Sequence, residues 1–382
     1  MKYLLLILSI VIVSCNSKGE IDKAHSLKGT TLDLIKNRSY TEAIDTAKIA
    51  LEIFHDAKEA SEETEMHYHI ARASAMDGNF QQAREYGEKG STLAKETNNL
   101  ELEYKINNIL SWSYFSLGMG FEETMTHQQR QLELVKLLDN DDAKAMVYNN
   151  YGYDATVSGL VNLDSAIHYT KWANDFYGKK ENTHGRWYTL MNLCWQHRLK
   201  NELELSEVYG IHSLSQAKAD SDRHAIIEAA TNLSETLIAQ QKMDQAGEKL
   251  KEAYEFANEQ QDRDKYVFDI YNAHYLGEIG KLDEAVELLK PAVDFLSEGE
   301  VFYEMLGRAL LATYAFQIGQ HELARENINA FDNPRANYFS FEAKVIAEIT
   351  RSKIENDPHT LSRMIEKSKA INATYLTNLM MN

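Results

Sequence analysis

The chain has 382 residues, and its 58 Asp and Glu outweigh 40 Lys and Arg to give a formal net charge of −18. The acid is spread along the chain and no basic cluster exceeds a pair such as Lys179-Lys180, which argues against nucleic-acid binding, a process driven by clustered cations and counterion release. Two cysteines exclude a disulfide framework, and three prolines and 18 glycines amid plentiful Ala, Leu, Glu, Lys and Gln predict an all-α protein.

The first predicted element is a targeting segment. Lys2 supplies a positive charge and Leu4 to Val13 is apolar except for Ser9, a run too short to span a bilayer but suited to the core of a secretory signal peptide. Ile12-Val13-Ser14-Cys15 resembles a bacterial lipobox. The resemblance implies cleavage of residues 1–14, acylation at Cys15 and a short polar tether over 15–20, with Asn16 after the cysteine favouring the outer membrane. Lipidation also accounts for Cys15, which one other cysteine, Cys194, cannot explain as a disulfide framework. The expected location is the cell envelope, lipid-anchored, with the body exported.

From residue 21 to 382 the pattern is a repeat. A turn with Gly or a polar pair is followed by a bulky residue, two polar residues and a small one, as in Gly78-Asn79-Phe80-Gln81-Gln82-Ala83 and Gly280-Lys281-Leu282-Asp283-Glu284-Ala285. The bulky positions are 40, 80, 121, 163, 203, 243, 282 and 321, with spacings of 40, 41, 42, 40, 40, 39 and 39. Glycine two places before the bulky residue can take the left-handed conformation that ends a helix, and the small residue three places after it lies where two helices cross closely. In the fourth unit, around Gly152 to Gly159, two extra residues are expected in the turn.

Tyr266 to Phe295, with its small Ala273, Gly280, Ala285 and Ala292, resembles the tetratricopeptide repeat, whose usual period is 34. The longer period here is similar to kinesin light chains and bacterial peptide-sensing regulators. The resemblance implies a right-handed α-solenoid of about nine helical hairpins. The last pairs 336–355 with 358–379 as a C-terminal cap, Asp357 and Pro358 starting its second helix.

Catalytic and metal motifs fail on spacing. Arg325 stands where a zinc helix starting His321-Glu322 needs its second His, and Lys144 where a calcium loop starting at Asp139 needs Gly. Gly118-Met119-Gly120 lacks a third glycine, and His67 and His69 leave a helix on different faces. Cys194 occupies a small-residue position, which predicts a buried structural thiol; His197 three residues on is the only arrangement that would make it a nucleophile. No enzyme activity, cofactor or metal is expected.

What remains is the concave surface. In tetratricopeptide proteins the first helix of each hairpin lines the groove. That resemblance implies Glu65, Tyr68 and Arg72 in the second unit, Tyr153 in the fourth, and Tyr188, Met191, Trp195 and Arg198 in the fifth. Glu228, Glu235, Ile270 and His274 follow. Aromatics mixed with both charges suit a binding surface. The expected function is a membrane-anchored scaffold for a protein partner, with a receptor for a short peptide or glycan as the alternative.

Overall fold

A computed structural model describes the chain except residues 1, 38, 118, 120, 139, 181, 259–261, 298–300, 333–339, 358 and 382, and except the side chains of 2–17, 183, 184 and 360. Among the described residues there are 19 α-helices and no strand. They form a tetratricopeptide-like α-solenoid of antiparallel hairpins, divided into two compact units, Met1–Asn140 and Asp141–Asn382.

Unit 1 stacks three hairpins. They are α1 (Lys2–Lys36) with α2 (Tyr40–Ala57), α3 (Ala60–Met76) with α4 (Phe80–Glu96), and α5 (Leu100–Ser116) with α6 (Phe121–Leu137). The expected signal, Cys15 and its lipidation concern side chains outside the described residues. The backbone of α1 runs through 15–20, the stretch expected as a tether, without a break. Among the described residues no helix is long and apolar enough to cross a membrane.

Unit 2 continues with α7 (Asp141–Ser158) and α8 (Leu163–Lys179), α9 (Thr183–Leu199) and α10 (Leu203–Ala219), and α11 (Arg223–Ala239) and α12 (Met243–Ala257). Next come α13 (Arg263–Glu278) and α14 (Leu282–Leu296), α15 (Val301–Gln317) and α16 (His321–Asn329), and finally α17 (Phe341–Glu355), α18 (His359–Ala370) and α19 (Thr374–Met381).

The repeat read from the sequence coincides with this order. Each of the eight bulky residues is the first residue of the second helix of a hairpin. The small residues three places on, among them Ala43, Ala83, Ala166, Ser206, Ala246 and Ala285, are fully buried, as a close helix crossing requires. Gly78, Gly280 and Gly319 have φ of 79°, 82° and 81°. At Gly78 the backbone closes with the Asn79 amide donating to the Ser74 carbonyl (2.8 Å) and the Gly78 amide to that of Ala75 (3.1 Å), the bonds of a left-handed helix stop. Asn201 and Gln241 adopt the same conformation at the same place in their hairpins, without glycine.

Two local expectations are corrected. Gly152 lies inside α7, not in a turn: a Cβ there would stand 2.1 Å from Thr170 Oγ1, so the glycine permits α7 and α8 to touch. The irregularity is confined to Gly159–Asn162, where Gly159 (φ 59°) leaves room for the Phe341 ring.

The C-terminal cap is also not a simple hairpin. Its first helix begins at Phe341, with Ser340 Oγ accepting from the Ala343 amide (3.0 Å); residues 336–339 and Pro358 lie outside the described residues. Its second helix is broken at 371–373, where Asn372 is left-handed (φ 63°) and the Ala373 amide bonds the Ser368 carbonyl (2.8 Å). The break turns α19 back across unit 2. The Ile371 carbonyl accepts from the Leu163 amide (3.0 Å), Asn372 Nδ2 donates to Asp164 Oδ2 (2.9 Å), and α17 and α19 pack on α7 and α9. Unit 2 thereby closes on itself.

Candidate functional site

The closure of unit 2 encloses a cavity of about 760 Å³, within the size range of small-molecule and peptide sites. Both sides mix polar and apolar groups: besides the residues that follow, α9, α11 and α13 bring Met191, Trp195, Ile238 and Tyr271, and α15, α17 and α19 bring Tyr303, Thr313, Gln317, Glu342 and Lys353. Helices α9, α11 and α13 contribute Asn192, Arg198, Glu228, Asn232, Glu235 and His274, with Glu278 at the end. Helices α15, α17 and α19 contribute Phe302, Leu306, Leu310, Ile346, Ile349 and Leu379. Helical spacing builds the second wall: 302, 306 and 310 recur at i and i+4, one stripe of α15.

The polar wall holds its charges in matched sets. Arg198, 4% exposed, donates from Nη1 and Nη2 to the two oxygens of Glu342 (2.6 and 3.1 Å), and Trp195 Nε1 donates to the same carboxylate at 3.0 Å. Burial opposes the guanidinium charge, but Glu342 outweighs it and raises its pKa. The guanidinium also lies 5.6 Å from the Tyr375 ring, a cation–π contact with α19.

His274 Nδ1 sits 2.8 and 3.0 Å from the Glu235 oxygens. Burial lowers the imidazole, but Glu235 overcomes this and raises it to about 9, making it an imidazolium at neutral pH. Burial pushes Glu235 up and the His274 charge pulls it further down, leaving it a carboxylate. Glu228 accepts from the Tyr303 hydroxyl at 2.9 and 3.0 Å and from Arg263 Nη1 at 3.3 Å. Burial holds the Tyr153, Tyr271 and Tyr303 hydroxyls well above their usual range, so they remain neutral. Burial likewise pushes Tyr375 up to about 12.

Of the residues expected in the groove, Tyr153, Met191, Trp195, Arg198, Glu228, Glu235 and His274 line this cavity. Tyr188 instead packs beside the core, its ring 6.3 Å from Tyr153 and 5.6 Å from Trp187. Ile270 is a correction: it is fully buried, and its Cδ1 would lie 2.3 Å from a Cβ on Gly307, so it packs between α13 and α15. Glu65, Tyr68 and Arg72 belong to unit 1, whereas every lining residue belongs to unit 2. There Glu65 pairs with Lys28, Tyr68 packs against Ala71, Ala75 and Ile109, and Arg72 is exposed.

Phe302, Leu306, Ile346 and Tyr375 are lining residues that sequence reasoning missed. Two periods of 39 from Glu228 lead to Leu306, so the first-helix register would have found that residue, whereas Phe302 and Ile346 fall off it. Tyr375 depends on the break at Asn372 and carries no such signal.

Cys194 is fully buried, its Sγ 3.4 Å from Thr236 Oγ1 and 3.5 Å from Ser206 Oγ, and burial raises its pKa. His197 turns elsewhere: Nδ1 meets Glu202 at 2.5 Å and the ring stacks on Tyr209. The thiol is a packing residue. His67 and His69 are both buried in unit 1, and His321 opens α16 beside Phe316. Gly118, Gly120 and Asp139 lie outside the described residues. Among the described residues no group of three or more His, Cys, Asp or Glu is placed to hold a metal ion.

No protein-family model matches the chain, and no curated protein matches it. Solved structures do. A Rap protein complexed with competence and sporulation factor superposes with a TM-score of 0.64 at 15% identity, over 92% of this chain and 99% of that one. NprR in complex with its cognate peptide NprX gives 0.59 at 12% identity, over 92% and 97%. The apo form of the quorum sensor NprR from B. thuringiensis gives 0.57 at 13% identity, over 97% and 100%. At these identities the likeness is one of fold, and the fold is the tetratricopeptide-like α-solenoid.

Proposed function

We propose that this protein is a binding module whose unit 2 cavity holds a short peptide or the extended end of a protein partner, on a body tethered to a bacterial membrane through Cys15. The carrying observation is the cavity framed by α9, α11, α13, α15, α17 and α19. Its enclosure by α17 and α19 favours a narrow extended chain over a folded domain. Asn232, only partly buried in the polar wall, carries an amide able to bond a main-chain group, whereas Asn192, one repeat earlier, is fully buried and donates to Asn149 Oδ1 (3.1 Å). Two solenoids of similar fold are solved with peptide ligands, the Rap protein with competence and sporulation factor and NprR with NprX, which supports the same use here.

Peptide binding is tested by thermal shift against a synthetic peptide collection, since a ligand that binds only the folded state at a hundred times its Kd stabilises by about 2.7 kcal/mol. A flat response across the collection removes the reading. The expected effect of Cys15→Ser is loss of the protein from the membrane fraction and of labelled palmitate incorporation. Unchanged membrane association in that variant rejects the anchor and leaves the cavity reading standing.

A further inference from the structure

Five aromatic residues of the cavity lining form an unbroken chain of ring contacts. Between centroids, Tyr153 lies 6.0 Å from Trp195, Trp195 6.1 Å from Phe302, Phe302 4.9 Å from Tyr303, and Tyr303 6.4 Å from Tyr271. The planes cross at 56°, 84°, 83° and 78° in the same order, so the last three contacts are edge to face. Two of the rings are fixed at a polar end. Trp195 Nε1 donates to Glu342 (3.0 Å) and the Tyr303 hydroxyl to Glu228 (2.9 Å). Tyr153 and Phe302 are only partly buried. A further ring entering from the cavity extends the edge-to-face series.

The charges beside the rings decide what kind of group they take. Glu342 already has the Arg198 guanidinium (2.6 Å) and Glu228 has Arg263 (3.3 Å). Arg263 also lies 5.0 Å from the Tyr303 ring centroid, so that ring already carries a cation. His274, one turn from Tyr271, is held by Glu235 at 2.8 Å. The other two charges of the lining are farther off. At 1.5 Å per residue, Lys353 stands about 16 Å along α17 from Glu342, and Glu278 about 10 Å along α13 from Tyr271. Each lining carboxylate beside the rings thus has its cation, and an uncharged side chain is the one that enters without upsetting a pair. The hydroxyls of Tyr153 and Tyr271 have no hydrogen-bond partner among the described residues, and either can bond a phenol.

Resting on the peptide-binding reading, we propose that these five rings are the anchor pocket for one aromatic side chain of the bound peptide, tyrosine before phenylalanine. Phe302 is the ring that favours an aromatic over an aliphatic side chain, and the Tyr153 and Tyr271 hydroxyls are the groups that favour tyrosine.

The test is affinity selection by the full chain from a synthetic hexapeptide library, each position randomised among Leu, Phe, Tyr, Ser, Lys and Glu. The expected result is one shared position at which Tyr, then Phe, is preferred over Leu by about tenfold. Phe302→Leu keeps an apolar side chain but removes a ring, and is expected to reduce that preference about threefold. In the double variant Tyr153→Phe with Tyr271→Phe, Tyr is expected to fall to the level of Phe. Leu as frequent as the aromatics at every position, Lys at the shared position, or an unchanged preference in Phe302→Leu would overturn the inference while leaving peptide binding intact. A library from which nothing is enriched overturns both. Each result is a ratio among peptides selected by one protein, so it does not depend on the variants matching the wild type in stability.

Discussion

The two units are built from the same hairpin, yet they use their polar residues differently. In unit 1 the buried or half-buried pairs join helices next to each other in the stack: Arg130 with Glu103 across α5 and α6, Lys28 with Glu62 and Glu65 across α1 and α3. In unit 2 the Arg198–Glu342 pair spans 144 residues and the Asn372–Asp164 bond spans 208. Unit 1 is a stack of nearest neighbours, the arrangement in which each repeat needs only the next one. Unit 2 adds ties between distant repeats, and its cavity exists because of them.

The sharpest way to break this comparison is to remove one partner from a pair in each unit. Arg198→Ala strands the Glu342 carboxylate against the cavity wall and is expected to cost about 3–5 kcal/mol in urea unfolding. Replacing both residues by methionine is expected to recover most of that loss. Glu103 is 2% exposed beneath an Arg130 side chain that is itself 36% exposed, so Arg130→Ala uncovers the carboxylate to water, and it is expected to cost less, about 1–2 kcal/mol. Equal costs would mean that the distant tie in unit 2 is no more than another local pair.

The units are also expected to part with pH. His274, raised from 6.5 to about 9, contributes stability that is complete below pH 6.5 and is lost as pH rises through about 9. Over that window wild type should lose on the order of 2–3 kcal/mol more than His274→Gln. Glu65 in unit 1, lowered to about 2 first by its bond to His69, runs the other way: its contribution is present above pH 4.5 and is lost as pH falls through about 2. Alkaline solution should therefore loosen unit 2 more than unit 1, followed through Trp187 and Trp112, whereas strong acid should loosen both, since Asp164, Glu202, Glu235 and Asp264 of unit 2 are lowered as Glu65 is.

Smaller effects sharpen the contrast in packing. Gly152→Ala in unit 2 places a methyl group against Thr170 and the Ala166 carbonyl and is expected to cost about 2 kcal/mol in thermal unfolding. In unit 1, Gly87→Ala meets only the end of the Leu110 side chain, at 2.7 Å, and that strain is offset by about 1 kcal/mol of helix propensity, so its expected change is near zero. Gly78→Ala, with open space around it but φ of 79°, falls between these two and is expected to cost about 1 kcal/mol. Gly78→Asn should cost less, since Asn201 already holds that conformation in unit 2.

What was legible in the sequence follows the same division. The period, the bulky first residue and the small residue three places on are consequences of local helix packing, so they repeat and can be read at all eight turns. The polar wall was legible for the same reason: Trp195, Arg198, Glu235 and His274 fall on one register of the first helices. Ile346 and Ile349 of α17 and Tyr375 of α19 were not. They become lining residues only because Gly159 receives Phe341 and because Asn372 breaks the final helix, contacts between positions far apart in the chain. Asn372 gives a weak local sign, an asparagine tolerant of left-handed backbone, but nothing in its neighbours names Asp164 as its partner.

The Arg198–Glu342 pair has a consequence for descent. An open array can gain or lose a hairpin by duplication or deletion and remain sound, because each junction resembles the next. Adding or removing a hairpin between α9 and α17 would carry Glu342 away from Arg198 and Asn372 away from Asp164 together. Insertions in this lineage are therefore expected to accumulate outside that span, and the number of hairpins within it to stay fixed.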